Sequence, residues 1–137
     1  MPVSVRRSIL TDMSKKRILV VEDNMDTYEL VRFILEKNGY DTFLAVNGRD
    51  GVNAAIKQIP DLIIMDLSMP EMDGWTAMSL IKGDARTSSI PMVALTAHVL
   101  PADRQRAMDA GCDEYITKPM DLLDLVESVE YWLSKVK

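Results

Sequence analysis

Apolar residues recur along the chain in two alternating patterns. Short continuous runs, Ile18-Leu19-Val20-Val21, Leu62-Ile63-Ile64-Met65 and Met92-Val93-Ala94-Leu95, have the composition of strands buried on both faces. Two further stretches, Tyr40 to Val46 and Glu114 to Thr117, mix polar with apolar residues and predict strands nearer a sheet edge. Between these runs the spacing becomes helical. Leu30, Val31, Ile34 and Leu35 predict one face of a helix that starts near Asp26 and stops at Asn38-Gly39. Val52, Ala55, Ile56 and Ile59 predict a second helix closed by Pro60, and Trp75, Met78 and Ile81 a third ended by Gly83. Pro101 suits the first turn of a fourth, which stops at Ala110-Gly111. Leu122, Leu125, Val126, Val129 and Leu133 mark the fifth.

Five strand-helix alternations imply a parallel sheet covered by helices on both faces, a doubly wound α/β domain with right-handed crossovers. In such sheets the working site lies beyond the carboxyl ends of the strands. The positions that matter are therefore Glu22-Asp23-Asn24 after the first strand, Asp66 after the third, Thr96 after the fourth and Lys118 after the fifth.

Composition narrows the class further. A length of 137 residues with 47% apolar content fits one compact domain. The repeating pattern occupies residues 16–137, and residues 1–15, which lack periodicity, are expected to be a disordered extension or an upstream start. An excess of 21 acidic over 16 basic residues has the wrong sign for a protein that neutralises nucleic-acid phosphates. The single cysteine, Cys112, excludes an internal disulfide and a cysteine metal cage, and fits a cytoplasmic location. No apolar run approaches membrane-helix length, so no membrane insertion is expected.

The place after the first strand would hold a glycine-rich turn in a nucleotide-binding fold, and here it holds two carboxylates. Glu22, Asp23 and Asp66 converging on one pocket would repel pairwise by roughly 3 kcal/mol at about 5 Å and an effective dielectric near 20. Lys118 supplies one compensating charge. A hard divalent cation with oxygen ligands, Mg²⁺ above all, is the natural source of the rest. Such a pocket suits a phosphoryl group held by metal, ammonium and hydroxyl. Taken singly, these residues also have ordinary explanations, because Asp23 or Asn24 could cap the first helix. Occupation of successive strand ends by Asp23, Asp66, Thr96 and Lys118 together is what points to a site.

Four ordered blocks, Ile18 to Asn24 (ILVVEDN), Pro60 to Gly74 (PDLIIMDLSMPEMDG), Pro91 to Ala97 (PMVALTA) and Ala110 to Pro119 (AGCDEYITKP), resemble the receiver domain of two-component response regulators. The resemblance spans essentially Lys16 to Lys137. It implies a flavodoxin-like five-stranded parallel sheet of order 2-1-3-4-5. It also implies that Asp66 accepts a phosphoryl group from a phosphohistidine on a histidine kinase or histidine phosphotransfer protein. Glu22, Asp23, Asp66 and the backbone carbonyl of Ser68 would then hold Mg²⁺. Thr96 would hydrogen-bond a phosphoryl oxygen, Lys118 would ion-pair with it, a cis Lys118-Pro119 bond aiming the ammonium into the pocket, and Tyr115 would be an aromatic switch that follows Thr96. Ser68 and His98 would tune dephosphorylation by governing water access.

Three functions follow from these residues. The first is a single-domain response regulator that signals through an unidentified downstream protein or passes phosphate onward, with no catalysis beyond its own phosphorylation and dephosphorylation. The second is a magnesium-dependent aspartyl-phosphate phosphatase, which would want an Asp where Ser68 stands. The third is an interaction module that works without phosphorylation. Cys112, Trp75 and the ten methionines are expected to serve packing.

Overall fold

The structure, a computed structural model, describes residues 15–67, 74–97 and 101–135. Five strands, β1 (Arg17–Val21), β2 (Asp41–Ala45), β3 (Leu62–Asp66), β4 (Met92–Thr96) and β5 (Glu114–Thr117), alternate with five helices, α1 (Met25–Lys37), α2 (Gly48–Gln58), α3 (Gly74–Gly83), α4 (Pro101–Ala110) and α5 (Leu122–Ser134). All neighbouring strands are parallel, in the order β2-β1-β3-β4-β5. This is the expected doubly wound sheet.

Strand alternation divides the core in two. Leu19 and Val21 of β1, Ile63 and Met65 of β3, and Met92 and Ala94 of β4 pack with Ala55, Met78 and Ala107 from α2, α3 and α4. Their neighbours Ile18, Val20, Leu62, Ile64, Val93 and Leu95 face the other way, against Val31 and Leu35 of α1 and Leu125 and Val129 of α5. Each Leu, Ile, Val or Met side chain among them contributes about 1.5–3 kcal/mol when fully buried, and β1, β3 and β4 supply two layers of them. The mixed composition of β2 and β5 is explained by their places at the two edges.

Two details of the helix pattern differ from the sequence reading. Helix α1 buries Tyr28, Val31 and Leu35, a narrow i, i+3, i+7 stripe, and leaves Leu30 exposed. Ile59 does not continue the face of α2. It follows the helix in the left-handed region with φ 45° and is exposed, because the residue before a proline is disfavoured in the helical region. Met65, Met78 and Met92 are core residues as expected, whereas Met25 and Met108 are exposed. Trp75 and Cys112 are buried in the α2-α3-α4 layer.

Candidate functional site

The site assembles at the carboxyl ends of β1, β3, β4 and β5. Glu22 continues β1 by one residue, since its backbone N–H donates to the Ala45 carbonyl at 2.9 Å, and this draws its side chain to 1% exposure. Asp23 is exposed. Asn24 then caps α1, its side-chain oxygen accepting from the Thr27 N–H at 2.9 Å. The capping duty considered for Asp23 or Asn24 thus falls to Asn24. Asp66 is the last residue of β3 and is buried. One carboxylate oxygen from each of Glu22, Asp23 and Asp66 lies within 4.8 Å of the others.

Lys118 follows β5 directly, where its backbone N–H donates to the Thr96 carbonyl at 2.8 Å. Its bond to Pro119 is cis, as the resemblance implied. The ammonium reaches back between the carboxylates, with Nζ 3.2 Å from Glu22 Oε1 and 3.3 Å from Asp66 Oδ2. Burial pulls this ammonium down, but the charges of Asp66 and Glu22 and its hydrogen bonds to both outweigh that and hold its pKa above the ordinary value. Glu22 shows the opposite balance. Burial, reinforced by the facing Asp66 carboxyl, pushes it up to about 7, against the opposing Asn24 N–H and Lys118 charge.

Thr96 is fully buried at the end of β4, one residue beyond the Leu95 that pairs with Asp66. Tyr115 lies on β5 opposite Ala94 and is turned into the α2-α3-α4 layer, with the Arg104 guanidinium 5.9 Å from its ring centroid. Ser68 and His98 fall outside the described residues. Glycine at position 74 is a positional requirement that the sequence reading did not single out. A Cβ there would come within 2.3 Å of the Asp66 carbonyl oxygen and 2.5 Å of the Leu67 Cα. The N-terminus of α3 is therefore in backbone contact with the residue at the centre of the cluster. A glycine opening the helix that follows the acidic strand end, eight positions beyond Asp66, was the available signal.

The donor set fits a magnesium ion. Three convergent carboxylates are hard oxygen ligands, and one ammonium leaves two negative charges uncompensated when all are ionised.

The fold is that of a signalling receiver. The model of the response regulator receiver domain family matches residues 18–130, and the chain belongs to that family. It is 34% identical over 118 residues to the polar-differentiation response regulator DivK of Brucella anthropi, covering 86% of this chain and 96% of DivK. Among solved structures, the signal receiver domain of a signal transduction histidine kinase from Syntrophus aciditrophicus is 40% identical with a TM-score of 0.83, covering 89% of this chain and 92% of that one. The receiver domain of sensor histidine kinase PA1611 from Pseudomonas aeruginosa PAO1 is 31% identical with a TM-score of 0.82, covering 88% of this chain and 99% of its own. That structure is described with a magnesium ion coordinated in the active-site cleft. Receiver domains act in two-component signalling, accept phosphate from histidine kinases and bind Mg²⁺ at the acidic cluster. No described helix is long and apolar enough to cross a membrane.

Proposed function

We propose that this chain accepts a phosphoryl group from a phosphohistidine onto Asp66 and signals by phosphorylation-dependent binding of a downstream protein or by onward transfer. The observation that carries this reading is the placement of Lys118 Nζ within 3.3 Å of Asp66 Oδ2, in a cluster whose other members, Glu22 and Asp23, are carboxylates. In the transfer an Asp66 oxygen attacks phosphorus, the phosphorus–nitrogen bond breaks, and the electron pair returns to the donor imidazole, which takes a proton from water. The transferring group is loose and its charge sits on its oxygens, so positioning and neutralisation supply most of the acceleration. Lys118 pairs with one such oxygen, the Thr96 hydroxyl donates to another, and the fixed strand end aims Asp66. Glu22, Asp23, Asp66 and the Ser68 carbonyl would hold Mg²⁺, which when bound neutralises the carboxylates and the incoming phosphoryl oxygens. Tyr115 follows Thr96 as the switch, and Ser68 and His98 set how readily water reaches the acyl phosphate.

Incubation with Mg²⁺ and acetyl phosphate tests the reading. One acyl phosphate that is absent from Asp66→Asn supports it. Multiple turnover on simple phosphate esters would replace it with the phosphatase, and no modification from any donor would replace it with the phosphorylation-independent module.

A further inference from the structure

A groove of about 350 Å³ lies between the β2 edge of the sheet and α2. Among the described residues β2 pairs with β1 alone. The Asp41 N–H and the Ala45 carbonyl are both turned to that side, bonding the Lys16 carbonyl and the Glu22 N–H at 2.9 Å. Successive residues of a parallel strand turn their backbone groups to opposite sides, so those of Thr42 and Leu44 face outward, and such an edge accepts an added strand. There is room beside it because α2 is drawn toward β1, where a Cβ on Gly51 would lie 2.9 Å from Val21 Cγ2.

Helix α2 lines the groove with Asp50, Asn53, Ala54 and Lys57, one stripe at helical spacing. Asp50 and Lys57, at its two ends, are exposed and form no ion pair among the described residues. Gln58 beside them is occupied, its side-chain oxygen accepting from Arg17 Nη2 at 2.7 Å. In a twofold contact, a residue that meets a second residue of the other copy is matched by the reciprocal pair. A stripe that carries opposite charges at its ends is therefore complementary to its own antiparallel copy. The edge strand shares this property, since antiparallel pairing centred on Leu44 sets Thr42 opposite the partner's Val46, a residue that is 44% exposed.

We infer that this edge is the docking surface for a second copy of the chain, with the two β2 strands antiparallel about Leu44 and the two α2 helices side by side. Asp50 meets the partner's Lys57, Lys57 meets the partner's Asp50, and Asn53 and Ala54 lie at the centre. Charge selects this occupant, because a uniformly acidic or basic segment would compensate one end of the stripe and oppose the other.

The full chain, isotopically labelled and unphosphorylated, is diluted from millimolar to micromolar and followed by NMR and sedimentation equilibrium. A monomer–dimer equilibrium with concentration-dependent shifts confined to residues 42–46 and 50–58 is expected. Asp50→Lys and Lys57→Asp should each weaken dimerisation about tenfold or more, because each reverses two symmetric contacts. The exchanged double variant, Asp50→Lys/Lys57→Asp, should return to within about threefold of the native protein, and an equal mixture of the two single variants should form the mixed dimer. Each variant's own spectrum reports whether it is folded. A chain monomeric at every concentration, shifts elsewhere, unaffected single variants, or a double variant and a mixture that both fail to recover would overturn the inference. So would perturbation of the same resonances at micromolar concentration on removing residues 1–14, since the chain's own segment would then be the occupant. None of these outcomes depends on Asp66 chemistry.

Discussion

Lys118 Nζ lies 3.3 Å from Asp66 Oδ2, although 52 positions separate the two residues in the chain. The same nitrogen lies 3.2 Å from Glu22 Oε1, so one ammonium joins the ends of β1, β3 and β5. Substituting Lys118 by Ala is expected to slow phosphorylation of Asp66 by about 10²–10³-fold, the usual loss when one preorganised charge is removed from a transfer site. Lys118→Arg, which keeps the charge but changes its shape, should recover only part of the rate. Single-turnover kinetics with a phosphorylated histidine donor give both numbers, and an Ala variant as fast as the native protein would remove Lys118 from the mechanism.

Glu22 contributes a pH-dependent part of the stability of the metal-free fold. Its carboxyl is raised from 4.5 to about 7, by burial first and by Asp66 second, so between these values the folded chain holds a proton that the unfolded chain releases. Stability from this group is full below pH 4.5 and is lost as pH rises through 7, by a total on the order of 1–3 kcal/mol. Urea denaturation in chelator across this range should show the decline, and Glu22→Gln should flatten it. A native profile that rises with pH to the same extent would contradict the assignment.

Two glycines of α3 should respond in opposite directions. Gly74→Ala places a methyl group against the Asp66 carbonyl and Leu67 Cα, and is expected to destabilise the chain by at least about 2 kcal/mol and to impair phosphorylation together with stability. Gly83 is exposed at the last position of the helix with nothing within 4 Å of an added Cβ, so Gly83→Ala is expected to stabilise by about 0.5–1 kcal/mol. Thermal denaturation of the pair checks both signs.

Cys112 is expected to be inert while the protein is folded. It is 4% exposed, and burial, with Asp113 adding to it, pushes its thiol up to about 11. Alkylation by iodoacetamide at neutral pH should be slow in buffer and fast in denaturant. Equal rates in both would show that the thiol is open to solvent.

Much of this was legible in the residues because strands buried on both faces leave continuous apolar runs, and edge strands do not. Ile18-Val21, Leu62-Met65 and Met92-Leu95 proved to be the central strands, and the mixed stretches proved to be β2 and β5. Periodicity does not encode strand order, which rested on resemblance. It also over-counted two helix faces. Leu30 adjoins Val31 but falls outside the narrow stripe of α1, and Ile59 fits a helical spacing that Pro60 does not permit. Asp66 and Lys118 were readable as strand-end residues. That Lys118 would lie between two carboxylates depends on the side-by-side order of β1, β3, β4 and β5, a tertiary fact. The Gly74 contact and the Arg106 guanidinium 4.3 Å over Trp75 join elements that local pattern treats separately.

Residue-level mapping of the phosphoryl group tests the central claim most directly. Protein phosphorylated in Mg²⁺ is reduced with borohydride, which converts an aspartyl phosphate to homoserine, then digested and sequenced by tandem mass spectrometry. Homoserine at position 66 alone, absent without Mg²⁺ and absent from Asp66→Asn, is the result predicted. Homoserine at Asp23 or another carboxylate in the native protein, or an unmodified Asp66 under phosphorylating conditions, would contradict it.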